Sequence, residues 1–140
     1  MSIIAFIEKN WLLVLAFVAS GAMLVWPLVG RRFSGGREIG TLGVTQLINT
    51  KNPLVLDVRE TKEFNGGKLP NAVHVPLSQL GARIGELAKH VSRPVIAYCD
   101  RGVRARSSMS ILAKAGFKDI YHLQGGFKAW KDAGLPVQKT

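Results

Sequence analysis

From Trp11 to Gly30 the chain runs WLLVLAFVASGAMLVWPLVG, twenty positions without one charged side chain. At 1.5 Å of rise per residue, a helix of that length spans about 30 Å, the thickness of a bilayer hydrocarbon core. A soluble helix this long keeps a polar face for water, and this stretch has none. Trp11 and Trp26 lie near its two ends, where indole rings favour the membrane interface. Pro27 is expected in the last turn, where its missing N–H and ring clash matter least. Residues 1–30 therefore read as an N-terminal transmembrane anchor that meets membrane lipid through residues 11–30.

The competing reading is a cleaved signal peptide that leaves the remainder in the periplasm. Ala19-Ser20-Gly21-Ala22 offers small residues for a cleavage site, but the preceding region carries only Lys9, balanced by Glu8. The apolar run also continues past that site to Val29. Arg31, Arg32 and Arg37 follow the span directly, an asymmetry that places the C-terminal part on the cytoplasmic side of an inner, single-pass membrane anchor.

Residues 31–37, RRFSGGR, read as a short basic linker, and residues 38–140 as one domain with 15 Lys and Arg against 8 Asp and Glu. That excess suits an anionic lipid surface or a small anionic substrate focused toward a cleft. Nucleic acid is disfavoured, because the basic residues are dispersed and no stripe with interleaved aromatics occurs. With a single cysteine, the chain supplies neither an internal disulfide nor a Cys-pair zinc or iron–sulfur site.

The domain alternates strand and helix patterns. Pro53–Val58, Ala72–Val75, Pro94–Tyr98 and Ile120–Leu123 are short branched apolar runs of the kind buried in parallel sheets. Between them, Ser78 is placed to cap a helix through Leu80, Ile84 and Leu87. A second helix, about Arg104 to Ala115, carries Ala105, Met109, Leu112 and Ala113 inward and stops at Gly116. Gly125-Gly126 opens a short helix bearing Trp130. The predicted fold is α/β, a mostly parallel sheet with helices on both faces.

In such a sheet the chemistry sits where strands end and helices begin. Cys99 lies there, followed by Asp100-Arg101-Gly102-Val103-Arg104. No proline interrupts the turn, so its N–H groups are available as an anion cradle, and Gly102 relaxes the backbone restriction of a tight turn. The helix dipole, Arg101 and Arg104 favour the thiolate and make Cys99 a nucleophile, while Asp100 is expected to face outward. The plainer alternative is a small buried hydrophobe. Asp57 and Arg59 follow a buried strand and are expected to form an ion pair near the site. His74 and His122 read as packed or rim histidines, and Trp130 with Phe127 as core.

Four segments, in order from Glu38 to Val137, resemble a single-domain rhodanese. They are Leu56-Asp57-Val58-Arg59-Glu60 with Glu63-Phe64, then Gly67-Lys68-Leu69-Pro70-Asn71-Ala72 with Val75-Pro76. The loop Cys99–Arg104 fits C-x-x-G-x-R, and Gly116-Phe117, Leu123, Gly125-Gly126, Trp130 and Gly134–Val137 fit the closing pattern. Lys68 and Asn71 depart from that family's usual histidine and glycine, and Asp100 is acidic where a polar or basic residue is common. The resemblance implies a sulfurtransferase, with Cys99 catalytic and Asp100, Arg101, Gly102, Val103 and Arg104 cradling the substrate. Asp57 and Arg59 are implied to support the loop.

It further implies a double displacement. Sulfur passes from a small anionic donor such as thiosulfate, through a Cys99 persulfide, to cyanide, a thiol or a protein cysteine. No metal and no organic cofactor is called for. A cysteine phosphatase needs five residues between Cys and Arg, whereas four separate Cys99 from Arg104 and six separate it from Arg106. A non-catalytic, membrane-tethered interaction module is the rival from another class.

Overall fold

The computed structural model describes residues 2–33 and 36–139, with backbone alone for residues 29–33. The chain divides into two compact units, residues 1–34 and 35–140. In the first, α1 (Ile3–Lys9) is capped by Ser2, whose Oγ accepts from the Ala5 N–H at 3.2 Å. It is followed by α2 (Trp11–Phe33). Within α2, none of Trp11–Leu28 is buried, and by length and composition the helix is apolar enough to cross a membrane.

Two expectations change here. The helix runs six residues beyond Pro27, so the proline lies inside it and removes one N–H from the ladder. Residues 31–33 accordingly belong to α2 and not to a linker, because arginine is a strong helix former. The side chains of Arg31 and Arg32, with Ser34 and Gly35, lie outside the described residues.

In the second unit, five strands form one sheet in the order β1-β5-β4-β2-β3, paired in parallel throughout. At its centre are β2 (Leu54–Asp57) and β4 (Val95–Tyr98), every residue of which is buried. β5 (Ile120–Leu123) joins β4 to the edge strand β1 (Arg37–Ile39), and β3 (Val73–His74) forms the other edge. Strand side chains alternate between faces. Leu54, Leu56, Val95, Ala97 and Cys99 share one core with Leu80, Ala105, Met109 and Leu112. Val55, Ile96, Tyr98 and Leu123 share the other with Val44, Phe127 and Trp130. Helices α5 (Leu77–Arg83) and α6 (Val103–Lys114) thus cover one face, and α3 (Thr41–Lys51) and α7 (Gly126–Asp132) the other. The α/β architecture matches the expectation from the sequence.

The strands at 54–57, 73–74, 95–98 and 120–123 fall inside the predicted runs. β1, α3 and α4 (Thr61–Asn65) are elements for which the sequence pattern gives no expectation. β1 has three residues, and α3 contains Gly43 with threonines at 41, 45 and 50 and buries only Val44 fully, so neither carries a strong periodic signal. α4 is a single turn held by a capping box between Glu60 and Glu63. The helix expected from Ser78 starts earlier, at Leu77 behind Pro76, and no side chain caps it. It gives way to a 3₁₀ turn over Ile84–His90, with Gly81 and Gly85 weakening the α form. In α6, Ser108 is buried and Ala113 only half-buried. Gly116, at φ +105°, ends it as a Schellman turn: the N–H groups of Gly116 and Phe117 reach back to the carbonyls of Ala113 and Leu112.

Candidate active site

At the C-terminal end of the sheet, α7 and α4, which follow β5 and β2, bond to the β4–α6 loop and to the first turn of α6. Cys99 leaves β4 on the α6 face and is 1% exposed. The Gly102 N–H donates to its Sγ at 2.9 Å. Gly102 caps α6 at φ +101°, a conformation that favours glycine, and this folds its amide back toward the sulfur. The first amides of α6, on Val103, Arg104 and Ala105, have no intrahelical acceptor, so the sulfur faces the positive end of a twelve-residue helix.

The loop is fixed from behind by α7. The N–H of Phe127 donates to the Cys99 carbonyl at 2.8 Å, and that of Lys128 to the Asp100 carbonyl at 3.1 Å. With its carbonyls held there, the loop is kept in one register against α7. Gly126 makes this approach possible: a Cβ there would meet Asp100 backbone atoms at 2.6 Å and the Cys99 carbonyl closer still.

The charged residues of the loop separate in role. Arg101 is 79% exposed and lies 3.9 Å from a 41% exposed Asp100, so the Asp100 carboxylate is turned to solvent. Arg104, expected to stand open toward a donor, instead donates through both terminal nitrogens to Glu63 at 2.7 Å each. Its fork is spent on pinning α6 to α4, since a bidentate carboxylate pair outcompetes a solvated guanidinium. Hydrogen bonds from Arg104 hold the Glu63 carboxyl down at about 2, although partial burial acts the other way.

Asp57 and Arg59 do form an ion pair, at 2.7 Å, and both are buried. It occupies the opposite face of the sheet from the thiol. Asp57 also accepts from the Arg59 main-chain N–H at 2.9 Å and from the Tyr98 hydroxyl at 2.7 Å. Arg59 Nη2 donates to the Gly67 carbonyl at 2.6 Å, and the guanidinium lies 4.2 Å from the Phe127 ring centroid. The pair therefore touches Cys99 only through its neighbours, Tyr98 along β4 and Phe127 across α7. Burial first, then Asp57, pushes the Tyr98 hydroxyl well above its ordinary range and keeps it a donor. Burial disfavours the charged Arg59, but Asp57 outweighs it and the guanidinium stays fully ionised.

The remaining candidates are structural. His74 stacks on Phe64 at 4.4 Å and its Nε2 lies 2.7 Å from the Arg59 carbonyl. His122 is buried with Nδ1 unpartnered among the described residues, and burial foremost holds its pKa below the ordinary value. Trp130 donates to the Pro136 carbonyl at 2.7 Å from within the core. Among the described residues no three His, Cys, Asp or Glu side chains cluster to hold a metal. Sequence reasoning missed Tyr98 and the pairing of Glu63. The i+3 spacing of Glu60 and Glu63 signals the α4 cap, but nothing along the chain marks a partner 41 residues away.

Two outcomes follow from these pairs. Asp57→Asn leaves the Arg59 charge buried without its counter-ion, so unfolding in urea should show a loss of about 3–5 kcal/mol. The Glu63 carboxyl is lower in the folded than in the unfolded chain, so its contribution is present above about pH 5. It is lost as the pH falls toward 2. Wild type and Glu63→Gln, compared by urea midpoint, should differ by up to about 1 kcal/mol at neutral pH and converge toward pH 2.

The rhodanese-like domain family matches residues 43–133. YqhL of Bacillus subtilis, named an uncharacterized protein, is 43% identical over 76 residues, 54% of this chain; the chain spans 59% of the length of that relative. YibN of Escherichia coli, also uncharacterized, is 30% identical over 139 residues, 96% of this chain and 95% of that one. The thiosulfate sulfurtransferase GlpE of Actinobacillus succinogenes is 33% identical over 92 residues, 66% of this chain and 81% of that one. Among solved structures, a rhodanese-related protein from Thermoplasma volcanium superposes with a TM-score of 0.67 at 27% identity, over 74% of this chain and 99% of that one. Matched over most of its length in sequence and in fold, the chain belongs to the rhodanese-like domain family.

Proposed function

We propose that this protein is a membrane-anchored sulfurtransferase that moves sulfane sulfur through a persulfide on Cys99. The observation that carries the reading is the Gly102 N–H directed at Cys99 Sγ at the start of α6. In the first half-reaction the Cys99 thiolate attacks the outer sulfur of thiosulfate. A Cys99 S–S bond forms, the thiosulfate S–S bond breaks, and sulfite leaves with the bonding pair. In the second, cyanide, a thiol or a protein cysteine attacks the outer sulfur and the Cys99 thiolate departs. The Gly102 amide and the positive end of α6 stabilise the terminal sulfur anion, and preorganised donors of this kind are worth about 3–4 kcal/mol each at a transition state. The exposed Arg101, not the Glu63-bound Arg104, attracts the anionic donor. Asp57 and Arg59 act at a distance, by holding Tyr98 and Phe127 behind the loop. The relative named thiosulfate sulfurtransferase supports the donor assigned here.

Helix α2 is proposed to be a retained anchor with the domain in the cytoplasm. The unbroken apolar run past Ala19–Ala22 and the arginines after it support this over a cleaved signal. The expected result is an intact N-terminus in membranes and a domain sheltered from protease added to sealed, right-side-out cells. Digestion of the domain from outside overturns the orientation.

Sulfur transfer is tested on the full chain in detergent by intact mass. Thiosulfate should add one sulfur atom and cyanide should remove it. Because Cys99 is the only cysteine, Cys99→Ser should abolish both steps, a hydroxyl being far harder to hold as an anion than a thiol. Arg101→Ala should raise KM for thiosulfate about tenfold while the persulfide still forms. Sulfur uptake by Cys99→Ser ends the reading. A wild type that never takes up sulfur points instead to an interaction module, or to a phosphatase if it hydrolyses aryl phosphate.

A further inference from the structure

The end of the sheet opposite Cys99 plays no part in this chemistry, yet it carries a concentrated charge. In an all-parallel sheet every strand begins at one end, and here the beginnings of β1, β2, β4 and β5 are basic. Arg37 opens β1, Lys51 ends α3 ahead of β2, Lys89 and Arg93 precede β4, and Lys114 and Lys118 precede β5. Arg93 is half-buried and the other five are exposed. None of the six forms an ion pair among the described residues.

Among the described residues, Glu38 adjoins Arg37 but faces Arg106 and His122 at 3.8 and 3.9 Å, and two further carboxylates lie in the connections of this end. Asp119 is one; Glu86, the other, is already held by Arg83 at 2.7 Å. By contrast Asp57, Glu60, Glu63 and Asp100 all lie at or beyond the C-terminal strand ends. Backbone bonds tie the basic connections into one rim. The Leu54 N–H donates to the Pro94 carbonyl at 2.8 Å, and the Val95 N–H to the Asp119 carbonyl at 2.9 Å. Arg93 clasps the Asn52 and Pro53 carbonyls at 2.9 and 3.1 Å. A recess of about 410 Å³ between Ser92, Arg93, Gly116, Lys118 and Asp119 opens in the same rim. His90 reports the local field: after burial, the nearby Arg93 and Lys89 charges hold its pKa below the ordinary value.

The chain also enters the domain at this end, since residues 34 and 35 alone separate α2 from Gly36. We infer that this basic rim is a docking surface for the anionic headgroups of the bilayer that α2 crosses. The inference rests on the anchor reading given above. A short tether keeps the local concentration of lipid surface high, so weak contacts suffice. Each lysine or arginine within a Debye length of an anionic leaflet adds to the attraction. Lysine supplies four of the six charges, as mobile point charges suited to variable headgroups more than to a fixed fork of acceptors. Phe117, between Lys114 and Lys118, is buried, and the His90 ring is half-buried against Arg93, so neither offers the open stacking platform of a single-stranded nucleic-acid site. Docking by this end turns the Cys99 loop, at the far ends of the strands, toward water and its acceptor.

The test uses the full chain in nanodiscs of phosphatidylcholine alone or with added phosphatidylglycerol. Incorporation into the neutral discs reports the anchor by itself. Amine acylation read by mass spectrometry then reports the rim, with Lys62 and Lys128 as internal controls away from it. Phosphatidylglycerol should slow labelling of Lys51, Lys89, Lys114 and Lys118 by about threefold or more at low salt, and about 1 M salt should abolish the protection. Lys62 and Lys128 should be unaffected. In the combined variant Lys89→Glu, Lys114→Glu, Lys118→Glu, all at exposed positions, the remaining protection of Lys51 should vanish while incorporation into neutral discs persists. Equal labelling in both kinds of disc, protection of the two controls, or protection by an added oligonucleotide in neutral discs but not by phosphatidylglycerol overturns the inference. Failure to enter neutral discs overturns the anchor instead.

Discussion

The ion pair between Asp57 and Arg59 organises the working end of this domain. Two full charges sit in the interior, a situation that is tolerable only when every donor and acceptor finds a partner. Here the partners come from separate parts of the chain: the Tyr98 hydroxyl from β4, the Gly67 carbonyl from the loop before β3, and the Phe127 ring from α7. Satisfying one buried guanidinium thus draws four segments to a common point. The Leu69 N–H, which donates to the Tyr98 oxygen at 3.1 Å, adds a further tie. Such a cluster gives little net stability compared with a hydrophobic replacement, but losing one member strands the rest.

The Cys99 loop stands on that platform. Phe127, pressed against Arg59 on one side, donates its N–H to the Cys99 carbonyl on the other. Orientation of the cysteine is therefore set by backbone bonds from α7, and its immediate field by the Gly102 amide and the α6 terminus. The two arginines of the loop divide the remaining work by their partners and not by their type. Arg104 is neutralised by Glu63 and ties α6 to α4, whereas Arg101 projects into solvent with only a distant Asp100 beside it. Counting positive charges along the loop overstates what a substrate meets, because one of them is already committed.

Charge is also sorted along the strand direction. The carboxylates that build the site gather at the C-terminal ends of the strands, and six cations that form no ion pair among the described residues lie at the N-terminal ends. A parallel sheet makes this possible with few residues, since each connection returns to the same end before the next strand starts. One end can then be specialised for chemistry and the other for attachment without either intruding on the core between them.

Much of this was written along the chain. The uncharged stretch from Trp11, the branched apolar runs of β2, β4 and β5, and the glycines at 102, 116 and 126 are local signals whose meaning depends on hydropathy, period and backbone freedom alone. Those signals carried the α/β sheet and the location of Cys99 at a strand-to-helix turn. The partners of buried or shared charges were not legible in the same way. Glu63 and Arg104, like Asp57 and Tyr98, stand 41 positions apart, and their pairing is decided by which loops the sheet order brings to one end. Short or weakly periodic elements, β1 and α3 above all, formed because neighbours in space offered them ladders and a core, not because their own residues demanded it. Local sequence determines what each segment can be. Tertiary packing decides which charge answers which, because electrostatic pairing depends on distance through space and not on distance along the chain.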